Sequence, residues 1–183
     1  MGRTISSEGV ILARRDWGEA DRILVVYTRE FGKGGFIAKG VRRPNSRKRG
    51  HIEIFSRVKF SAVYGRGIGV MTEAEVIDGF PGVRKNLRSV SVGYYFMEVM
   101  GKITREGERN EQLYELLLKY LRDLGRMRQN AELVRLRKSF VYDVLVLLGF
   151  WPDKVKMDNP DMVLNEVIER EMNSVRVGKR VLS

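Results

Sequence analysis

The hydrophobic pattern of the chain changes near residue 81, from the two-residue period of β-strands to the 3.6-residue period of helices. Before this point, short runs rich in Val, Ile and aromatic residues alternate with glycine-containing turns. The change falls at Phe80, Pro81 and Gly82, and proline suits the first turn of a helix. The chain is therefore predicted to be α+β, with a β domain over residues 1–80 and an α-helical domain over residues 81–183.

Five strands are predicted in the β domain, with one long connection between the third and the fourth. They cover residues 9–15, 22–28, 35–39, 56–64 and 68–77, and residues 31–34 are predicted to be a turn. In the fourth strand, Val58, Phe60, Ala62 and Tyr64 fall on one face. Five short strands joined mostly by tight turns fit a small closed barrel, and the leading candidate is the five-stranded OB-fold.

Four helices are predicted after the barrel. They cover residues 83–104, 111–124, 132–148 and 160–172, with Asn110 and Asn159 as N-caps. Their apolar stripes have the spacing of a helical bundle core, so we interpret them as packing surfaces rather than as a ligand site. The basic residues 174–183 are predicted to form a loosely held tail. The helical domain is the predicted surface for partner proteins.

The connection over residues 39–50 carries six positive charges and no negative one. Gly, Pro, Asn and Ser interrupt it, so it is predicted to be a solvated loop. The whole chain has a formal net charge of +11 and a pI of about 10.1. Because six of the basic residues are clustered in one loop, the charge favours binding to the phosphates of nucleic acid over a role in general solubility.

Several classes of chemistry are excluded or disfavoured by the composition. The chain has no cysteine and a single histidine, His51, which excludes disulfides, thiol catalysis and Cys or His metal clusters. Asp16, Glu19 and Asp21 resemble a Mg²⁺ site of a nuclease, but the arginines among them favour ion pairing across a hairpin. Residues 65–67 lack the Lys-Ser/Thr of a phosphate-binding loop and are interpreted as a hairpin turn. No cofactor, metal or enzymatic activity is therefore predicted.

No apolar run approaches the roughly 18 residues that span a bilayer. The first residues also lack the apolar stretch of a signal peptide. We therefore expect no membrane association and a cytoplasmic location.

The predicted DNA contacts are the basic residues of the long connection and of nearby strand ends and turns. They are Arg14, Arg15, Arg22, Lys33, Lys39, Arg42, Arg43, Arg47, Lys48, Arg49 and Arg66. The end of the third strand is expected to hold Lys39, Arg42 and Arg43, whereas residues 47–49 act as a flexible arm. Trp17 is interpreted either as a base-stacking residue or as part of the core. No base-reading motif is visible, so sequence-independent contacts are predicted.

Three motifs, in this order, resemble the RecO family of bacterial recombination mediators. They are Trp17-Gly18-Glu19-Ala20-Asp21-Arg22, Thr28-Arg29-Glu30-Phe31-Gly32-Lys33 and Ala38-Lys39-Gly40-Val41-Arg42-Arg43-Pro44. Isolated matches follow up to about residue 90, and the helical half matches more loosely, chiefly through Leu147-Leu148-Gly149-Phe150. The resemblance implies an OB-fold followed by a helical domain.

The resemblance also implies a function. It implies a non-catalytic protein that binds single- and double-stranded DNA, anneals complementary strands and helps to load RecA. Such a protein is expected at the nucleoid when it is active. The implied partners are RecR and the C-terminal tail of single-stranded-DNA-binding protein. The implied DNA contacts are Arg22, Lys33, Lys39, Arg42, Arg43 and Arg66.

Many members of the family carry a four-cysteine zinc module after the Leu-Gly-Phe segment. Because this chain has no cysteine, we expect it to lack the module, and the role of residues 153–183 stays open. The alternative function is a protein-interaction adapter that binds the acidic tail of single-stranded-DNA-binding protein, with DNA contact secondary.

Overall fold

The computed structural model describes residues 3–46, 50, 52–64 and 68–181, with side chains up to residue 170. The elements are β1 (Arg3–Trp17), β2 (Asp21–Thr28), β3 (Gly32–Ala38), β4 (Arg57–Tyr64), β5 (Gly69–Asp78), α1 (Pro81–Arg84), α2 (Leu87–Ile103), α3 (Glu111–Leu124), α4 (Asn130–Leu147) and α5 (Pro160–Val181). They form two compact units, Met1–Met127 and Arg128–Ser183. The domain boundary at residues 80 and 81 stays a prediction.

The five strands close into a barrel in the order β1-β2-β3-β5-β4. Strand β1 is long enough to pair with β4 through its first half and with β2 through its second half, and it has an irregularity between Ile11 and Ala13. Strand β3 pairs antiparallel with β2 and parallel with β5. This is the topology of an OB-fold. The predicted α+β class, with the five-stranded sheet before the helices, is confirmed.

Alternate strand residues fill the interior of the barrel. The core contains Ile5, Ile11, Leu24, Val26, Phe36, Ala38, Val41, Ile52, Val58, Phe60, Ala62 and Met71. The prediction that alternate residues of β4 share one face is confirmed: Val58, Phe60 and Ala62 lie in this core, and Tyr64 packs against it. Val41 and Ile52 lie in the long connection, yet both are fully buried. The prediction of a wholly solvated loop is therefore wrong at Val41, because burying a Val side chain contributes about 1.5–3 kcal/mol.

Two local predictions within the first unit are wrong. Strand β3 begins at Gly32, so the predicted turn over residues 31–34 is mostly strand. The helix predicted over residues 83–104 is divided into α1 and α2, because Asn86 is extended and its side chain accepts a hydrogen bond from Arg88 N. Asn86 is therefore an N-cap within the helical pattern. The N-cap predicted at Asn110 is confirmed, since its Oδ1 lies 2.9 Å from Leu113 N.

In the second unit, α4 and α5 pack together. The predicted cap of α5 is confirmed, because Asn159 Oδ1 accepts a hydrogen bond from Met162 N at 3.2 Å. Helix α5 continues to Val181, so its predicted end near residue 172 is wrong. Residues 166–177 contain no Gly or Pro to end the helix. Among the described residues, no helix is both long enough and apolar enough to cross a membrane.

Candidate nucleic-acid interface

The tip of the β1–β2 hairpin and the turn after β3 lie against each other at one end of the barrel. The Arg42 N–H donates to the Ala20 carbonyl at 2.9 Å, and the Gly40 N–H donates to Asp21 Oδ1 at 2.7 Å. Gly40 has a φ of 64°, which glycine adopts without strain. These bonds between residues far apart in the chain place the turn that carries Lys39, Arg42 and Arg43.

Five cationic side chains and one aromatic side chain lie on this hairpin and turn. We call the six residues the basic rim: Arg15, Trp17, Arg22, Lys39, Arg42 and Arg43. Trp17 is 51% exposed, so it is not part of the core. The guanidinium of Arg15 lies 5.5 Å from the centroid of the Trp17 ring. The rim therefore presents both charge and an aromatic face to solvent.

Asp16 lies among these cations. Its Oδ1 accepts a hydrogen bond from Arg22 Nε at 3.0 Å, and its Oδ2 lies 3.5 Å from Arg42 Nε. The hydrogen bond from Arg22 and the charge of Arg42 hold the pKa of Asp16 below its usual value. The predicted ion pairing across the hairpin is confirmed. Because exposed ion pairs are weak, a phosphate can replace this carboxylate at little cost.

The two aspartates of the hairpin, Asp16 and Asp21, both accept hydrogen bonds from other residues of the protein. Asp21 holds the backbone of the turn after β3, a role that sequence reasoning missed. Asp21 and Gly40 are nineteen positions apart, so no local sequence pattern indicates this hydrogen bond. Among the described residues, no group of three or more His, Cys, Asp or Glu side chains is arranged to hold a metal ion.

Two of the predicted DNA contacts lie away from the basic rim or have other partners. Arg14 forms an ion pair with Glu53, with 2.5 Å between Nη1 and Oε1. Lys33 lies near the start of β3, and its ammonium donates to the carbonyls of Gly101, at 2.7 Å, and Thr104. Burial lowers the pKa of Lys33 below its usual value. Its charge satisfies the carbonyl end of α2, so we leave Lys33 out of the rim.

Four further predicted contacts, Arg47, Lys48, Arg49 and Arg66, lie outside the described residues. They stay predictions. The first three follow Arg43 of the rim in the chain, after Pro44, Asn45 and Ser46.

The closed barrel, with its β3–β5 parallel pairing, defines an OB-fold protein. Residues 1–80 match the family model described as Recombination protein O N terminal. Residues 84–155 match the model described as Recombination protein O C terminal. The chain belongs to the RecO family, as its sequence motifs predicted.

Curated relatives carry the name DNA repair protein RecO. The protein of Pelotomaculum thermopropionicum is 36% identical over 146 residues, which are 80% of this chain and 56% of the relative. The Listeria welshimeri protein is 30% identical over 145 residues, covering 79% and 56% of the two chains. The Roseiflexus protein is 29% identical over 168 residues, covering 92% and 58%. The chain thus spans little more than half the length of these relatives.

Proposed function

We propose that this protein is a non-catalytic, DNA-binding recombination mediator in DNA repair. It binds single- and double-stranded DNA through the basic rim and anneals complementary strands. The observation that carries the proposal is the convergence of five cationic side chains and an exposed Trp17 at one end of an OB-fold barrel. The names of the relatives support a role in repair.

The rim supplies what annealing requires. Two strands repel each other through their phosphates, and cations that neutralise those phosphates allow the strands to approach. Trp17 offers a face on which a base can stack, and such stacking tolerates any base. Neither step needs a cofactor. In this proposal, Asp16 occupies the place of a phosphate between Arg22 and Arg42 until DNA binds.

The protein partners belong to the same proposal. The mediator works with RecR to assist RecA loading, and it contacts the C-terminal tail of single-stranded-DNA-binding protein, in the cytoplasm at the nucleoid. The family resemblance supports these partners. The alternative is an adapter that binds the acidic tail and contacts DNA only secondarily.

A charge-reversal variant tests the proposal. The variant combines Lys39→Glu, Arg42→Glu and Arg43→Glu, all at exposed positions of the rim. On single strands, each phosphate contact contributes about −0.7 to the slope of log K against log salt. Losing three contacts should flatten the slope by about 2 and abolish annealing of complementary oligonucleotides.

A matched control changes the same net charge on another surface. The exposed basic residues Lys119, Arg122 and Arg126 of α3 and its C-terminal end lie in the same compact unit, and their reversal to Glu should leave most of the DNA affinity intact. If both triple variants lose affinity equally, net charge and not the rim is responsible. Unchanged DNA binding in the rim variant favours the adapter.

A further inference from the structure

A cavity of about 830 Å³ lies along the first half of β3. Strand β5 pairs with β3 only from Phe36 onward, and in the first half of β3 Lys33 instead forms a bridge with Glu106. Three of the four residues before Phe36 are Gly32, Gly34 and Gly35, where neighbouring atoms come close to the backbone. A Cβ on Gly34 would lie 3.2 Å from the Phe36 ring and from the Tyr64 hydroxyl. The glycines therefore let the side chains of Phe36, Tyr64 and Ile68 approach the backbone of β3 and form the wall of the cavity.

The cavity has an aromatic wall and an apolar mouth. The rings of Phe36 and Tyr64 meet edge to face, with their centroids 5.6 Å apart. Phe31, from the β2–β3 turn, is 38% exposed, and Ile68, just before β5, is 40% exposed. These two side chains come from different loops and line the same cavity. The volume lies within the range of small-molecule sites, about 300–1,000 Å³.

Polar groups at the edge of the cavity match a nucleotide. Arg3 lines it and offers a guanidinium for a phosphate. Glu106 also lines it and can accept a hydrogen bond from the amino group of a base. Burial, followed by the charge of Glu106, raises the pKa of Tyr64, so its hydroxyl keeps its proton.

We propose that this cavity takes one unpaired nucleobase of single-stranded DNA, stacked against its aromatic side chains. The proposal rests on the proposed function and adds a preference for single strands, because a base within a duplex must leave its stack to enter a pocket. Strand β3 connects the cavity to the basic rim. At about 3.3 Å per residue, Gly34 and Ala38 are roughly 13 Å apart along it. One strand can therefore contact both within the roughly 4–16 nucleotides that an OB-fold binds.

The test removes the apolar mouth without touching the barrel core. The double variant Phe31→Ala and Ile68→Ala should lower affinity for oligothymidylate roughly 5- to 150-fold, the range measured for loss of one stacked base. Affinity for a duplex of the same length and the salt slope should stay unchanged. The matched control is Ile77→Ala with Leu87→Ala, which removes two exposed apolar side chains that do not line the cavity.

A second measurement uses a single strand containing 2-aminopurine, whose fluorescence is quenched when the base stacks. The wild type and the control should quench it, and the double variant should quench it less. Equal single-strand affinity and equal quenching in all three proteins would overturn the proposal and leave the cavity to a protein ligand. Failure of the proposed function gives a different result: the wild-type protein itself would show no salt-dependent binding to DNA.

Discussion

The backbone of the barrel approaches the segment before α3 closely at Gly32. Its φ is 69°, and a Cβ there would lie 2.1 Å from the carbonyl oxygen of Glu108 and 2.5 Å from its carbon. Both atoms belong to the backbone, so no side-chain rotation relieves the overlap. The variant Gly32→Ala should therefore move the start of β3 away from this segment.

The expected loss of stability has three contributions. A residue with a side chain at positive φ costs about 1–2 kcal/mol, and the smaller entropy of the unfolded chain offsets about 0.4–1 kcal/mol of that cost. Overpacking adds about 1–3 kcal/mol. Gly32→Ala should thus lower the free energy of unfolding by roughly 1–5 kcal/mol. Gly107→Ala is the matched control, because Gly107 has a φ of 73° but nothing within 4 Å of its Cβ position.

Urea unfolding provides the assay. The chain has two tryptophans, and replacing Trp151 with Phe leaves Trp17 as the reporter of the barrel unit. With a urea dependence of about 2 kcal/mol per molar, the midpoint of Gly32→Ala should lie roughly 1 M below that of Gly107→Ala. Equal midpoints for the two variants would refute the close approach and leave only the cost of positive φ.

Three further predictions concern the rim and the helix caps. Asp16→Asn removes the carboxylate that competes with phosphate for Arg22 and Arg42, so affinity for single strands should rise a few-fold while the salt slope stays the same, because the bound complex makes the same phosphate contacts; an unchanged affinity would refute the competition. Asn110→Ala removes the N-cap of α3 and should cost about 1 kcal/mol in urea unfolding, whereas Asn110→Asp should keep most of the stability. Backbone N–H groups at the start of α4 donate to the Glu132 carboxylate and hold its pKa below its usual value. The ionised carboxylate therefore stabilises the folded protein above pH 4.5, and this stabilisation is lost as the pH falls through the folded-state pKa of Glu132. The thermal unfolding temperatures of Glu132→Gln and the wild type should therefore differ at neutral pH and converge in acid. A difference that persists in acid would contradict the role of the ionised Glu132 in capping α4.

Local pattern was sufficient for most of the secondary structure. The alternation in β4 and the caps at Asn110 and Asn159 were predictable because each depends on residues within a few positions. Asn86 carries the same cap signal, but it lies within an apolar periodicity that continues on both sides, so the break between α1 and α2 was missed. The cavity beside β3 was missed for a different reason: its glycines were interpreted as a turn, and its other walls come from distant segments.

The sequence alone determined the α+β order, the five strands and the family, and it predicted a set of basic residues as DNA contacts. Only the tertiary structure decided which of those residues share a surface. Lys33 and Arg42 are close in sequence, yet Lys33 donates to the carbonyls at the end of α2, while Arg42 contacts Asp16 and Ala20 of the β1–β2 hairpin. The physical reason is range: strand alternation and capping depend on neighbouring residues, whereas the distance between two charges depends on how the strands close the barrel.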